Sequence, residues 1–255
     1  MKESPNNAQV SVIRVSPSYW RVLMNNPPLN LMGPQFVLQF RQIMSAIEAD
    51  EQLRVVVFES ALEGVFLNHS DFNGRLEDLT GISQGPTGLE AWPDILVRLP
   101  RASVVSIAKI RGRATGNGSE LSLACDMTFA SREKALFSQW EVGIGMVAGG
   151  GPMARLPRLI GRSRALEVLL GSEDINTDLA QEYGYVNQSL LDSELDSDLP
   201  GGALLRPAHR SRDDDVVEIS AGQHRSIRNP GRAALRVIGK AEAQTGKNSI
   251  EVCLL

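Results

Sequence analysis

Three short segments gather the groups that could do chemistry. Val65–Phe72 reads V-F-L-N-H-S-D-F, and Ile110–Asp126 reads I-R-G-R-A-T-G-N-G-S-E-L-S-L-A-C-D. Phe137–Arg158 runs from F-S-Q-W-E-V-G-I-G through a glycine-rich stretch to R-L-P-R. Gly116-Asn117-Gly118 falls at a strand-to-helix junction, where unpaired backbone N–H groups at a helix start stabilise negative charge. A tight turn is the plainer reading of the same three residues. Glu120, in the first turn of that helix, suits the helix dipole whether or not it reacts. Glu141 follows Gln139-Trp140 in a mixed loop and by itself reads as a solvated glutamate. His69 could act as a base or activate Ser70 or Ser119. No acid partner accompanies it, so it reads first as a ring packed beside a pocket or bonded to backbone. Ser119 lies in G-N-G-S-E rather than the G-x-S-x-G of a nucleophile elbow. Trp92 and Trp140 read as core or pocket wall. Singly, none of these residues decides a function.

The elements that must hold them alternate. Gln9–Val15 and Tyr19–Met24 have strand character, and Asn25-Asn26-Pro27-Pro28 is a turn signal. Gly33–Asp50 carries Phe36, Phe40, Ile43, Ala46 and Ile47 at helical spacing. Arg54–Glu59 and Ser103–Ile110 are short apolar runs suited to buried parallel strands. A long loop lies between them, loosest at Ser83–Gly88, and Glu120–Cys125 reads as the start of a helix after a Gly-rich turn. This alternation predicts an α/β fold with a parallel sheet.

The chain has 255 residues, 42 % hydrophobic and 22 % charged, as in an ordinary globular protein. A net charge of −4 without a basic face argues against nucleic acid. His69, His209 and His224 are scattered, and Cys125 and Cys253 lack metal-ligand spacing, so no metal site is expected. No apolar run suggests a secretory signal or a membrane span, and a cytoplasmic protein is expected.

Together the three segments resemble the enoyl-CoA hydratase/isomerase (crotonase) family. Its F-x-A-G-x-D, G-G-x-x-E-L-x-x-x-C-D and F-x-x-P-E-x-x-x-G segments are matched by Phe66–Asp71, Gly116–Asp126 and Phe137–Arg158. Pro27–Leu31 is similar to the family's N-terminal proline turn, with Asn30 in the matching place, and Gly171–Asn187 resembles its segment ending in Gly-Leu-Val. The resemblance spans roughly residues 9 to 195. It implies a ββα-superhelix core over residues 1–195 and an acyl-CoA thioester as substrate. An oxyanion hole would come from the backbone N–H groups of Ser70 and Asn117, with catalytic carboxylates at Glu120 and Glu141. It further implies a pocket drawn from Phe66, His69, Asp71, Phe72, Gly116, Trp140 and Gly149. No cofactor is implied beyond the coenzyme A of the substrate, and the expected assembly is a homotrimer or a dimer of trimers. Retention of both glutamates favours adding water to a 2-enoyl-CoA, in fatty acid metabolism. Isomerisation, decarboxylation, C–C hydrolysis and non-catalytic acyl-CoA binding are the alternatives. Departures are local: Asn68-His69-Ser70, Asn117, Trp140 for the usual proline, and Pro152-Met153-Ala154 for Gly-Thr-Gln imply a differently shaped acyl pocket.

Beyond Asp192 the pattern changes. Leu199-Pro200-Gly201-Gly202 and Asn229-Pro230-Gly231 break the chain, and Arg206–Arg212 is followed by three aspartates. Helical periodicity returns only over Arg232–Ala243. Residues 196–255 therefore read as a divergent, loosely structured tail.

Overall fold

The computed structural model describes residues 8–74, 76–196, 236–239 and 250–253. The chain divides into two units, Met1–Ser197 and Asp198–Leu255. In the first, strands β1 (Val10–Ser16) and β2 (Tyr19–Met24) form an antiparallel pair. Helix α1 (Pro34–Ala49) starts with proline in its first turn, where the ring's fixed φ suits a helix. It buries Phe36, Val37, Phe40, Ile43, Met44 and Ile47, the face its periodicity predicted.

From there the chain repeats one unit: a strand in each of two sheets, then helix. Strands β3 (Val55–Ser60) and β4 (Gly64–Leu67) precede α2 (Leu76–Thr80) and α3 (Ala91–Arg98). Next come β5 (Val105–Ile110), β6 (Gly112–Thr115) and α4 (Asn117–Ala124). The third repeat holds β7 (Met127–Ser131), β8 (Leu136–Ser138), α5 (Pro152–Ile160) and α6 (Arg162–Gly171). Strand β9 (Ile175–Asn176), helix α7 (Thr177–Tyr183) and strand β10 (Gln188–Leu190) complete it. One sheet has the order β1-β2-β3-β5-β7-β10 and the other β4-β6-β8-β9. Apart from β1–β2 and β8–β9 every pairing is parallel. This is the ββα superhelix of the crotonase fold.

An aromatic core ties α1 to the first sheet and to α3. Phe40 stacks on Phe36 at 5.9 Å and on Phe58 of β3 at 5.6 Å, and meets Trp92 of α3 edge-on at 5.5 Å. Each such ring contributes about 1.5–3 kcal/mol by leaving water.

Two sequence expectations need correction. Ser83–Gly88 is pinned rather than loose. The buried Asp94 of α3 accepts from Thr87 N and Thr87 Oγ1 at 3.0 and 2.7 Å, and Arg98 donates to its other oxygen at 3.0 Å. Arg232–Ala243 contains a strand, β11 (Arg236–Gly239), which pairs antiparallel with β12 (Ile250–Cys253). Its Val237-Ile238 pair is β-branched and fits a pleated surface better than a helix. The rest of the expected tail lies outside the described residues. Among those described, no helix is long and apolar enough to cross a membrane.

Candidate active site

Strands β6 and β8 run in register, with Ala114 opposite Phe137 and Thr115 opposite Ser138. Gly116 N then donates to Ser138 O at 3.0 Å. Both strands therefore end at one level and release Gly116-Asn117 beside Gln139-Trp140-Glu141. Gly116 has φ +54°, a conformation costly for residues with a side chain. A Cβ there would lie 3.1 Å from Trp140 Nε1, 3.2 Å from Glu141 Oε1 and 3.4 Å from the Cβ of His69. All three sequence segments meet at this one backbone position.

Helix α4 begins on the next residue. Its first N–H, that of Asn117, has no partner within the helix. A single bridge joins Met32 to Ser70 through Met32 N on His69 O and Asp71 N on Met32 O, both at 3.0 Å. The Ser70 N–H stays out of that bridge. Ser70 Oγ also donates to Asn117 Oδ1 at 3.1 Å, tying the two loops together. Behind them the buried Asn30, at φ +48°, clamps its turn. It receives Asn26 N at 2.6 Å and donates to Ser60 Oγ and Phe66 O at 2.9 Å each.

The two glutamates sit in different surroundings. Glu120 is 2 % exposed. It accepts from Gly150 N at 2.5 Å, from Trp92 Nε1 at 3.0 Å and from Asn117 Nδ2 at 3.2 Å. Arg155 fixes the glycine loop behind it, donating to Gly150 O at 2.6 Å and Leu96 O at 2.7 Å. Burial raises the Glu120 pKa above the usual carboxylate value, against the pull of those donors and the Arg155 charge. Glu141 is half-buried at the start of a 3₁₀ turn, Glu141–Ile144. Burial pushes its pKa up, its own backbone N–H offsets part of this, and the Glu120 charge pushes it further. Two carboxylates that repel one another share protons as a pair.

The enoyl-CoA hydratase/isomerase family matches residues 16–199. The chain belongs to this family. It is 32 % identical over 174 residues to the mitochondrial enoyl-CoA hydratase domain-containing protein 2 of Mus musculus, spanning 68 % of this chain and 58 % of that one. It is 30 % identical over 169 residues to the ethylmalonyl-CoA decarboxylase of Danio rerio, spanning 66 % of this chain and 55 % of that one. The chain thus matches less than two thirds of the length of either relative. A crystal structure from Streptomyces avermitilis, 38 % identical, superposes with a TM-score of 0.71 over 78 % of this chain and 72 % of that one.

Within this crotonase framework most of the residues picked out by the sequence gather at Gly116. His69 keeps the plainer of its two readings. Its Nδ1 bonds to Ser70 O at 2.8 Å, and its ring packs on Phe72 at 5.6 Å and on Trp140 at 4.6 Å. Phe72 is half-exposed, and the Trp140 Nε1 atom is buried without a hydrogen-bond partner. Ser119 bonds to Tyr185 and Gln139, and among the described residues it has no histidine partner for nucleophilic attack. Three further residues assigned to the pocket have these surroundings. Phe66 is wholly buried in the main core, since a ring on β4 gains more from the sheet interior than from a polar cleft. Asp71 holds its own turn, accepting from Asn73 N at 2.9 Å. Gly149 points into open space, and Gly150 makes the contact with Glu120. Among the described residues no group of three or more His, Cys, Asp or Glu could hold a metal ion.

Proposed function

We propose that the protein adds water to the double bond of a 2-enoyl-CoA. The observation that carries this reading is a pair of glutamates close enough to repel, with Glu141 Oε1 beside Gly116 and the Ser70 loop tied to Asn117 at the start of α4. Charge that develops on the thioester oxygen as water adds is held by the N–H groups of Ser70 and Asn117. One such preorganised donor typically contributes about 2.7–4 kcal/mol. Three donors converge on Glu120 and hold its carboxylate in place to take a proton from the attacking water. Glu141 then carries the proton of the pair and delivers it to the carbon beside the thioester.

The substrate brings its own coenzyme A, and no further cofactor enters the reaction. A cytoplasmic homotrimer, or a dimer of trimers, acting in fatty acid metabolism completes the reading. The test is a panel of saturated, 2-unsaturated, 3-unsaturated and 2-carboxylated acyl-CoA thioesters. Loss of the conjugated thioester absorbance with 2-enoyl-CoA alone is the expected result. Turnover confined to the 3-unsaturated or carboxylated members would replace hydration by isomerisation or decarboxylation, and binding without turnover by a non-catalytic role.

A further inference from the structure

A run of buried polar groups behind Glu141 takes no part in the chemistry just described. Ser119, Gln139 and Tyr185 are 0, 0 and 3 % exposed, and all three are linked. The Tyr185 hydroxyl bonds to Ser119 Oγ, and Ser119 Oγ lies 2.5 Å from the end of the Gln139 amide. The other end of that amide faces the Glu141 carboxylate. With the amide oxygen accepting from Ser119 Oγ at 2.5 Å, its nitrogen lies 3.1 and 3.3 Å from the two Glu141 oxygens. The opposite orientation sets an amide oxygen against a carboxylate, two acceptors with no proton between them, so the network itself assigns the amide. Placing three polar side chains in a core costs free energy unless each finds its partner. Here each does, and the run ends on a reacting group.

We propose that Tyr185, Ser119 and Gln139 form a hydrogen-bond relay that makes Gln139 a positioning residue for Glu141. Tyr185 donates to Ser119, Ser119 donates to the Gln139 oxygen, and this fixes the polarity of the amide. The Gln139 nitrogen is thereby held on Glu141. A donor in that place aims the carboxylate toward Gly116 and stabilises its ionised form, which is what remains once Glu141 has given up its proton. The inference rests on the hydratase reading for its benefit to catalysis, and on geometry alone for the link itself.

The groups that face Glu141 are Gln139, Trp140, Gly116 and Glu120, from β8, the strand ends and α4, with Arg155 of α5 behind Glu120. The test follows the Glu141 carboxyl by ¹³C NMR in substrate-free protein, its resonance identified with Glu141→Gln. Gln139→Met keeps the volume and removes the donor. It should move the Glu141 midpoint to higher pH, and that of Glu120 by less, through their mutual repulsion. The same variant should lower kcat about tenfold or more with KM little changed, and carry the alkaline limb of the pH profile, where Glu141 loses its proton, to higher pH. Tyr185→Phe preserves packing and fold. It should shift the midpoint in the same direction by less, because the amide loses its fixed polarity but not its nitrogen. A shifted midpoint in a protein inactive on 2-enoyl-CoA would support the relay and sink hydration. An unmoved Glu141 midpoint in both variants overturns the relay, whatever the activity.

Discussion

Gly116 shows how much one residue can be asked to do. Its backbone is left-handed, and a side chain there would press on Trp140, Glu141 and His69 at once. Gly116→Ala should therefore cost about 1–3 kcal/mol of stability. It should also lower turnover about a hundredfold by displacing Glu141 from its working position. Denaturant unfolding and steady-state kinetics on one preparation check both. Glu120→Gln and Glu141→Gln should each lower hydration by at least about a hundredfold, the low end for a positioned acid or base. Wild-type turnover in either variant would remove that residue from the mechanism. At Ser70 the proposed donor is the N–H. Ser70→Pro should abolish turnover, and Ser70→Ala, which loses only the bond to Asn117 Oδ1, should be mild. The reverse order would point to the hydroxyl. At this scale the sequence is a partial guide. Glu120, Glu141, Ser70 and Asn117 lie in compact motifs and could be picked out. The contacts of Trp92, Gly150 and Tyr185 could not, because they join residues 28, 30 and 66 positions apart. Phe66 misled because its motif position says nothing about which side of β4 is core.

Helix α3 joins two tasks that the sequence gives no reason to connect. Trp92 reaches Glu120, and two residues later Asp94 holds Thr87 of the preceding loop. A Cβ on Gly85 would fall 2.0–2.5 Å from the Asp94 carboxylate atoms, so the loop can only close over that group with glycine there. Gly85→Ala should push the loop off Asp94. Thr87 then loses two hydrogen bonds, and a buried carboxylate loses two of its donors, at about 1–3 kcal/mol. Limited proteolysis should cut the variant within residues 83–88, where the parent resists. Unchanged protection there would mean that the Asp94 contacts do not hold the loop. Strands β1, β2, β3 and β5 and helix α1 were legible within a residue or two, because apolar runs and 3.6-residue spacing are local properties. The pinned state of Ser83–Gly88 was not, since glycine, serine and proline look alike in a loose loop and in one anchored from outside.

For the whole molecule the parallel sheet was readable from the alternation of elements, but the division of each repeat between two sheets was not. Single short runs such as Gly64–Leu67 and Gly112–Thr115 carry no mark of the sheet they join. The burial of Glu120 and half-burial of Glu141 have a consequence for the entire fold. Both glutamates have folded pKa values above the ordinary one, so the native chain holds more protons than the unfolded chain between about pH 4.3 and those raised midpoints. Through that window stability falls as pH rises, and above it their contribution is constant. Asp196 works in the opposite sense. The Arg111 contact, with Lys109, holds it down to about 2, so its support is lost as pH drops from about 4 toward that value. Urea unfolding from pH 4 to 8 should show a shallower decline in Glu120→Gln than in the parent chain. Equal slopes would exclude Glu120 from the linkage.

The in-register ladder of β6 and β8 also limits how this chain can diverge. Thr115 faces Ser138, and each strand hands its next residues directly to the site. A codon gained or lost inside β8 would turn Gln139, Trp140 and Glu141 over, so that groups now inside would face out. Length can vary more cheaply where the register has not yet been set, as in the exposed turn Arg132–Lys134 that precedes β8, at the cost of surface contacts such as Lys134–Asp192. Descendants of this sequence should therefore differ in size at such turns, while the interval from Leu136 to Glu141 keeps its length however far the residues drift.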